Sequence, residues 1–293
     1  MPELPDVEVY REALAARVIG QPLHAIHVRN PFVLRTAVPP LDAVVGQTVR
    51  DVLRVGKRIV LAFDRELFLV LHLMIAGRLQ WLPEGRKPPG KIALALFDFP
   101  TGTLAFTEAG TKRRASLHLA QGEAALAAFD AGGLDVMGAN EPAFRERLVR
   151  ENHTLKRALT DPRLFSGIGN AYSDEILHRA RLSPLMLSQK LDDAQVARLF
   201  AATREVLAEW TARLRSEAAG EFPQRVTAFR PEMAVHGRFG QPCPVCGAPV
   251  QRIVYAENES NYCARCQTGG VILADRALSR LLHKSFPRTL DDG

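Results

Sequence analysis

The chain has 293 residues, with 38 Lys and Arg against 32 Asp and Glu, which gives a formal charge of +6 with neutral histidines. A composition of 47% hydrophobic and 24% charged residues is that of an ordinary globular protein, and the length predicts two domains rather than one. The longest apolar run, Leu67 to Gly77, contains His72 and is far shorter than the roughly 20 residues of a membrane-spanning helix. Composition therefore excludes a membrane protein, and the acidic N-terminus, unlike a secretory signal, predicts a cytosolic location.

The N-terminal part of the chain is predicted to be a β-sandwich with one helix. Pro5 and Asp6 are typical of a helix start and Gly20 of a helix end, which predicts a helix over about 6–19. Short β-type runs follow, separated by turn residues. The predicted strands are 24–29, 58–63, 67–73, 91–99 and 103–107, with hairpin turns at 64–66 and 100–102. These elements predict a sandwich domain over residues 1–130.

The C-terminal part of the chain is predicted to be mainly helical. Residues 131–140, rich in glycine, are predicted to be a linker, and the hydrophobic period beyond them becomes helical. The predicted helices are 141–151, 154–159, 171–181 and 193–217. Together they predict a helical domain over 141–233, followed by a small cysteine-containing domain over 234–268 and a C-terminal tail over 269–293.

All four cysteines lie in that small domain, as two C-x-x-C pairs: Cys243 with Cys246, and Cys263 with Cys266. Two such pairs at this separation in a cytosolic chain are typical of a tetrahedral zinc site with four thiolate ligands. Disulfide or redox use is the alternative, and the reducing cytosol disfavours it. The sequence therefore predicts one structural Zn²⁺ ion in a zinc finger.

Three separated segments resemble the bacterial formamidopyrimidine-DNA glycosylase/endonuclease VIII family of base-excision repair enzymes. They are Pro2–Glu8, Ser166–Glu175 and Val235–Cys243, the last leading into the zinc finger. The resemblance covers nearly the whole chain. It implies an α+β multidomain fold: an N-terminal catalytic β-sandwich with one long helix, a C-terminal helix-two-turns-helix DNA-binding domain, and the four-cysteine zinc finger.

The resemblance implies that Pro2, Glu3 and Lys57 are catalytic. Loss of Met1 would leave Pro2 with a secondary amine that can attack the sugar C1′ and form a Schiff base. The matching glutamate of the family moves protons at the sugar, and the matching lysine contacts the phosphate beside the lesion. From the residues alone, the favoured interpretation of Pro2-x-x-Pro5 is a stiff lead-in to a helix, and that of Lys57 is a solvated surface lysine; the resemblance reverses both.

Four further residues are predicted to bind or support DNA. Gly167 and Gly169 allow a tight turn at a helix start that favours an anion, and Asn170 and nearby Lys156 could bind the same phosphate. Asn258 stands where the family has a phosphate-gripping arginine, so charge and a bidentate contact are lost there. Asp6 stands where the family usually has glutamate, and helix capping is its alternative role.

The residues that fill the gap left by a flipped base also depart from the family. The wedge methionine position aligns with Ile75, with Met74 one residue earlier, and both could instead be strand core. In the loop 107–115, Arg113 or Arg114 could pair with the orphaned base, but Ala115 replaces an aromatic residue. Residues 219–233 are short for the family's flexible loop over 8-oxoguanine.

The sequence supports a bifunctional DNA glycosylase/AP lyase that flips and excises oxidised bases and nicks the strand by elimination. A damage-recognition protein with weak or no glycosylase activity is the alternative, motivated by Asn258, Ala115 and Asp6. An unrelated zinc-ribbon protein is a third hypothesis, which the N-terminal and helical motifs disfavour. The expected partner is damaged DNA and not a membrane, and the expected state is a monomer in the bacterial cytoplasm, nucleoid-associated when on DNA.

Overall fold

The computed structural model describes residues 1–293 apart from 111, 224–225, 228–229, 256–257, 274–288 and 291–293. The described chain divides into two compact units, one of residues 1–131 and 210–227 and the other of 132–209 and 228–293. The sequence placed 210–227 in the helical domain, whereas here they pack within the first unit. Most of the predicted C-terminal tail, 269–293, lies outside the described residues.

The first unit contains two four-stranded antiparallel sheets. One sheet has the order β1-β6-β7-β5 and the other the order β2-β3-β4-β8. The strands are β1 Ala25–Val28, β2 Val49–Val55, β3 Arg58–Phe63, β4 Leu67–His72, β5 Gly77–Leu82, β6 Ala93–Phe99, β7 Gly102–Glu108 and β8 Ser116–Gln121. Both predicted hairpin turns are present, joining β3 to β4 and β6 to β7.

One continuous hydrophobic core joins the two sheets to the helix α1, Leu4–Val18. Apolar side chains from both sheets, such as Leu61 and Phe97, pack in it together with Tyr10 and Leu14 of the helix. Phe222 and Val226 are buried in the same core, which explains why 210–227 belong to this unit. The predicted β-sandwich with one long helix is therefore confirmed. A short helix α2, Glu123–Ala127, follows the last strand.

The second unit is built from helices and one hairpin. Its helices are α3 Glu141–Val149, α4 Leu155–Thr160, α5 Asn170–Ala180, α6 Asp193–Ala218 (whose last turns belong to the first unit) and α7 Ala264–Thr268. The hairpin pairs β9, Val250–Tyr255, with β10, Asn258–Cys263. Among the described residues, no helix is both long and apolar enough to cross a membrane.

Candidate active site and nucleic-acid interface

The N-terminus is held at the start of α1. Pro2 is buried, and Glu3, which is 2% exposed, is the residue that caps the helix. The backbone N–H of Glu3 donates to Oδ2 of Asp6 at 3.0 Å, as part of a capping box. Asp6 thus has the helix-capping role that was one of its two predicted roles, and it fixes the backbone beside Pro2.

The α-amino group of Met1 shows what this environment does to an amine. Its pKa is lowered, first by burial and then by the positive charges of Arg78 and Lys57, while Glu3 and Asp6 act in the opposite direction. The N-terminal nitrogen is therefore within electrostatic range of two cations and two carboxylates. Removal of Met1 would move the terminal amine to the nitrogen of Pro2, which is buried in the same segment.

Lys57 lies in the tight turn between β2 and β3, as predicted. Gly56 precedes it with a φ of 61°, a conformation that favours glycine. Arg54 holds the turn, because its Nη1 donates to the carbonyl of Gly56 at 3.1 Å while its Nε pairs with Glu8 of α1. An ion pair therefore connects the helix that carries the N-terminus to the turn that carries Lys57. The sequence analysis had missed both Glu8 and Arg54.

His72, at the end of β4, is a further residue near Lys57 that the sequence analysis did not single out. Burial lowers its pKa to about 4, and the positive charges of Arg58 and Lys57 add to the effect. Its imidazole is consequently neutral at physiological pH and lies close to Lys57. In the sequence, the feature that marks His72 is a polar residue within an otherwise apolar run.

Met74 and Ile75 lie in the turn that joins the two sheets and not within a strand. Met74 has a positive φ of 52°, and Ile75 is 56% exposed. The turn closes with Gly77, whose N–H donates to the carbonyl of Leu73 at 2.8 Å. A Cβ at Gly77 would lie 2.2 Å from that same oxygen, so only glycine fits. The interpretation of Ile75 as strand core is therefore wrong, and its exposed side chain suits a wedge.

The loop between β7 and β8 is anchored by a buried carboxylate. Glu108, which is 1% exposed, accepts hydrogen bonds from the backbone N–H groups of Arg114 and Ala115. The side chain of Ala115 is buried in the sandwich core. Arg113 is exposed, and its guanidinium donates to the carbonyl of Lys91. Both arginines remain on an exposed loop, whereas position 115 contributes no side chain to a surface.

In the second unit, Lys156 and Asn170 come together at the start of α5, as their predicted roles require. The ammonium of Lys156 contacts the carbonyl of Asn170 and Oδ1 of Asp174, each at 2.6 Å. The side-chain amide of Asn170 donates to the carbonyl of Glu259 at 2.9 Å. Both predicted phosphate ligands therefore already have protein acceptors. Asp174, which the sequence analysis did not single out, determines the position of Lys156.

Asp174 connects four segments of the second unit. Its side chain is fully buried, and besides Lys156 it accepts from Ser260 at 3.2 Å and faces Nδ1 of His236 at 2.8 Å. The neighbouring Glu175 accepts three backbone N–H groups, from Ala234 to His236, so its role is structural. The start of α5, the connector before the cysteines and the hairpin are thus fixed to one another. The side chain of Asn258 lies outside the described residues.

The four cysteines form one cluster. Their sulfur atoms all lie within 4.8 Å of one another, with Cys243 and Cys266 4.0 Å apart and Cys246 and Cys263 3.4 Å apart. Tetrahedral zinc with Zn–S distances of 2.3 Å places its sulfurs about 3.8 Å apart, so the cluster fits this ion. No disulfide joins them in this arrangement. The two C-x-x-C pairs therefore meet as the sequence predicted.

The chain thus combines a β-sandwich that carries the N-terminus, a helical region and a four-cysteine hairpin. Three family profiles match it in order. They are the formamidopyrimidine-DNA glycosylase N-terminal domain over residues 1–115, the formamidopyrimidine-DNA glycosylase H2TH domain over 136–217, and the zinc finger found in FPG and IleRS over 240–269. The chain belongs to the formamidopyrimidine-DNA glycosylase family.

Whole-length relatives agree with this assignment. The formamidopyrimidine-DNA glycosylases of Heliobacterium modesticaldum and Thermus thermophilus are each 35% identical to this chain. The matches cover 91% and 92% of this chain, respectively, and the full length of each relative. A formamidopyrimidine-DNA glycosylase-like protein of Mycobacterium tuberculosis is 39% identical over 150 residues, which is 51% of this chain and 93% of that protein.

Solved structures show the same fold. The complex of the Lactococcus lactis protein with abasic-site DNA has a TM-score of 0.80 and 26% identity, covering 91% of this chain and 99% of that one. A MutM complex with DNA containing carbocyclic 8-oxo-G has a TM-score of 0.79 and 26% identity, covering 91% and 100%. Another Lactococcus lactis complex holds DNA with an oxidised pyrimidine, at a TM-score of 0.80.

Proposed function

We propose that this protein is a bifunctional DNA glycosylase and AP lyase that excises oxidised bases through a Schiff base on Pro2. The observation that carries the proposal is the N-terminus itself: Pro2 is buried beside Glu3, in an environment that lowers the pKa of an amine. The site belongs to a family of glycosylases, and related proteins have been solved with abasic and oxidised DNA.

The reaction uses a neutral secondary amine as the nucleophile. With Met1 removed, the nitrogen of Pro2 attacks C1′, the N-glycosidic bond breaks, and the base leaves with its electron pair and takes up a proton. Opening of the sugar gives an iminium between Pro2 and C1′. Loss of a proton from C2′ then expels the phosphate at C3′, which cuts the strand by elimination. Hydrolysis of the iminium frees the enzyme.

We assign Glu3 and Lys57 to different steps of this reaction. The carboxyl group of Glu3 adjoins the nucleophile and is buried, which suits the movement of protons at the sugar. Lys57 is held on its turn by Arg54 and lies within electrostatic range of the N-terminal nitrogen. From this position it supplies a positive charge to the phosphate next to the reacting sugar.

We further propose that one structural Zn²⁺ binds per chain through Cys243, Cys246, Cys263 and Cys266. The sulfur cluster and the matching zinc-finger profile support this. The second unit, with its helical and zinc-finger elements, would grip the phosphates of damaged DNA through Asn170, Lys156 and Asn258. The site in the cell would be the bacterial nucleoid, and the working state a monomer.

A damage-recognition protein with weak chemistry is the second candidate. The observation that favours it is that Ala115, which stands where the family has an aromatic residue, has its side chain buried in the sandwich core and cannot fill a gap in the duplex. Asn258 and Asp6 are further departures from the family at positions that it uses. Such a protein would bind abasic DNA without cleaving it.

The two candidates separate in one experiment. Mass spectrometry first establishes whether Met1 has been removed from the purified protein. Single-turnover cleavage of duplex DNA with one abasic site or one oxidised base then measures the chemistry. A glycosylase and lyase gives base release and a nicked strand at the lesion. Tight binding with intact DNA after many hours supports the recognition protein instead.

A further inference from the structure

The zinc cluster receives a contact from outside the zinc finger. His178 lies on α5, 65 residues before Cys243, and its Nε2 is 3.3 Å from the sulfur of that cysteine. The imidazole is buried, at 7% exposed, and Cys243 is 2% exposed. A polar ring nitrogen is thus brought against one of the four sulfurs at a site that water does not reach freely.

The chemistry of the cluster defines which atom carries the proton. A zinc ion with four thiolates has a net charge of −2, and a metal-bound thiolate carries no proton to donate. The hydrogen bond must therefore run from Nε2–H of His178 to the sulfur of Cys243. Such charge-assisted bonds stabilise an anionic site, and polar groups just outside the ligands tune metal affinity.

The same helix contacts the finger at its other end. Asn170, the first residue of α5, donates its amide to the carbonyl of Glu259 in β10. Beyond the end of the helix, Gln267 donates to the carbonyl of Leu182. The zinc finger is therefore bound along the length of α5, and His178 brings that helix into contact with a cysteine of the cluster.

We propose that His178 is a positioning residue of the zinc site, which donates Nε2–H to the Cys243 thiolate and so links metal binding to the DNA-binding helix. This inference rests on the zinc site of the proposed function. The contrasting role is simple packing, in which the ring only fills space. The two roles differ in one respect: packing tolerates a phenyl ring of similar volume, whereas donation does not.

The test compares His178→Phe, which keeps the volume, with His178→Gln, whose amide can replace the Nε2–H donor. His27→Phe is the matched control, because this histidine lies on the β-sandwich and is paired with Asp98. Zinc affinity is measured by competition with a coloured chelator, and the rate of zinc release is measured with the same chelator in excess. We expect His178→Phe to weaken zinc binding about 10–100-fold, as for other contacts just outside metal ligands. His178→Gln should recover most of this loss, and His27→Phe should match the wild type.

A second measurement does not depend on a variant. In protein loaded with cadmium-113, a scalar coupling between the metal and the Nε2–H proton of His178 is expected across the sulfur. Equal zinc affinity in wild type and His178→Phe would overturn the inference, as would a ring protonated only on Nδ1. If the wild type bound no stoichiometric zinc, the zinc site of the proposed function would fail. If the wild type bound zinc and His178→Phe bound it equally well, this inference would fail while the proposed zinc site would stand.

Discussion

The two units of this protein hold their predicted functional groups through different contacts. In the first unit, a capping box holds Glu3 at the start of α1, and the ion pair of Arg54 with Glu8 supports the turn that carries Lys57. In the second, Lys156 and Asn170 are already bonded to protein atoms. Under the proposed function, phosphate binding in the second unit must compete with these contacts. Specificity and affinity are therefore the properties in which we expect this protein to differ from its relatives.

The largest expected effect lies in the second unit, on loss of zinc. Cys263→Ser should release the metal and weaken duplex binding by about 100-fold or more, because metal binding supplies much of the folding energy of so small a finger. The sandwich has a separate core and should keep its thermal transition. Elemental analysis measures the bound zinc, fluorescence anisotropy with labelled duplex measures DNA binding, and calorimetry measures the thermal transition of the sandwich.

Val245→Ser is the matched control for this change. Val245 lies in the same C-x-x-C pair as Cys243, but its side chain is 60% exposed and it is not a ligand. It should keep both zinc and DNA binding. Unimpaired duplex binding by zinc-free Cys263→Ser would contradict the role given to the finger.

The next effect tests the first unit, at Lys57. Lys57→Ala should slow strand cleavage about 10–100-fold in single turnover, since it removes a cation from the reacting centre. Arg54→Ala should cause a smaller loss by releasing the turn. If Arg54 acts through Lys57, the double variant should be little worse than Lys57→Ala alone.

Lys87→Ala is the control for charge, because Lys87 is an exposed lysine of the same unit. It should cleave at the wild-type rate. Strictly additive losses at positions 54 and 57 would show that Arg54 stabilises the fold and does not position Lys57.

A smaller effect is expected at the exposed turn between the sheets. If Ile75 fills the gap in the duplex, Ile75→Ala should lower excision several-fold from a matched duplex and leave excision from a bubble nearly unchanged. The reason is that unstacking costs a few kcal/mol in a paired duplex and little in a bubble. Ile92→Ala, at another exposed isoleucine of the same unit, should change neither rate.

A lesion panel extends this test to the wild type. With Ile75 as wedge, Ala115 buried and a short segment over 219–233, we expect oxidised pyrimidines, abasic sites and bubble lesions to react faster than 8-oxoguanine paired with cytosine. Phe222 and Val226 of that segment are packed in the sandwich core, which leaves less of it to cover a base. A clear preference for 8-oxoguanine opposite cytosine would contradict this.

The smallest effect is a shift in pH dependence. The nucleophile must be neutral, so Schiff-base formation should rise with pH through the pKa of the Pro2 amine. At this end of the chain, burial lowers the pKa of the Met1 amine. Glu3 raises the pKa of the N-terminal amine by stabilising its charged form. Glu3→Gln should therefore move the rising limb to lower pH, whatever it does to the maximal rate. A shift to higher pH would contradict this assignment.

The sequence predicted much of the fold because its signals were local. Helix caps, turn residues and strand patterns placed α1 and the hairpin of β3 with β4 within two or three residues. The strands β2, β5 and β8 were not predicted. In β2, the charged residues and the register shift after Val49 break the alternation expected of a half-buried strand. The paired cysteines were equally local and met as predicted.

The features of the site that could not be predicted share one cause: they depend on contacts between residues far apart in the sequence. The apolar run through Met74 and Ile75 looks continuous in sequence, yet the chain crosses there from one sheet to the other and exposes Ile75. The pairing of Glu8 with Arg54 joins residues 46 apart. Nothing local marks such a pair, whereas the prediction of Pro2 and Glu3 rests on a motif of neighbouring residues.

The central claim is that Pro2 carries the chemistry, and borohydride trapping on abasic-site duplex tests it most directly. Protein that begins at Pro2 should form a covalent complex whose cross-linked peptide, in mass spectrometry, carries the sugar on the Pro2 nitrogen. A matched protein with an N-terminal extension, in which that nitrogen is acylated, should bind the same DNA and give no complex. Undiminished trapping by the extended protein, or a cross-link on a lysine side chain instead, would contradict the account.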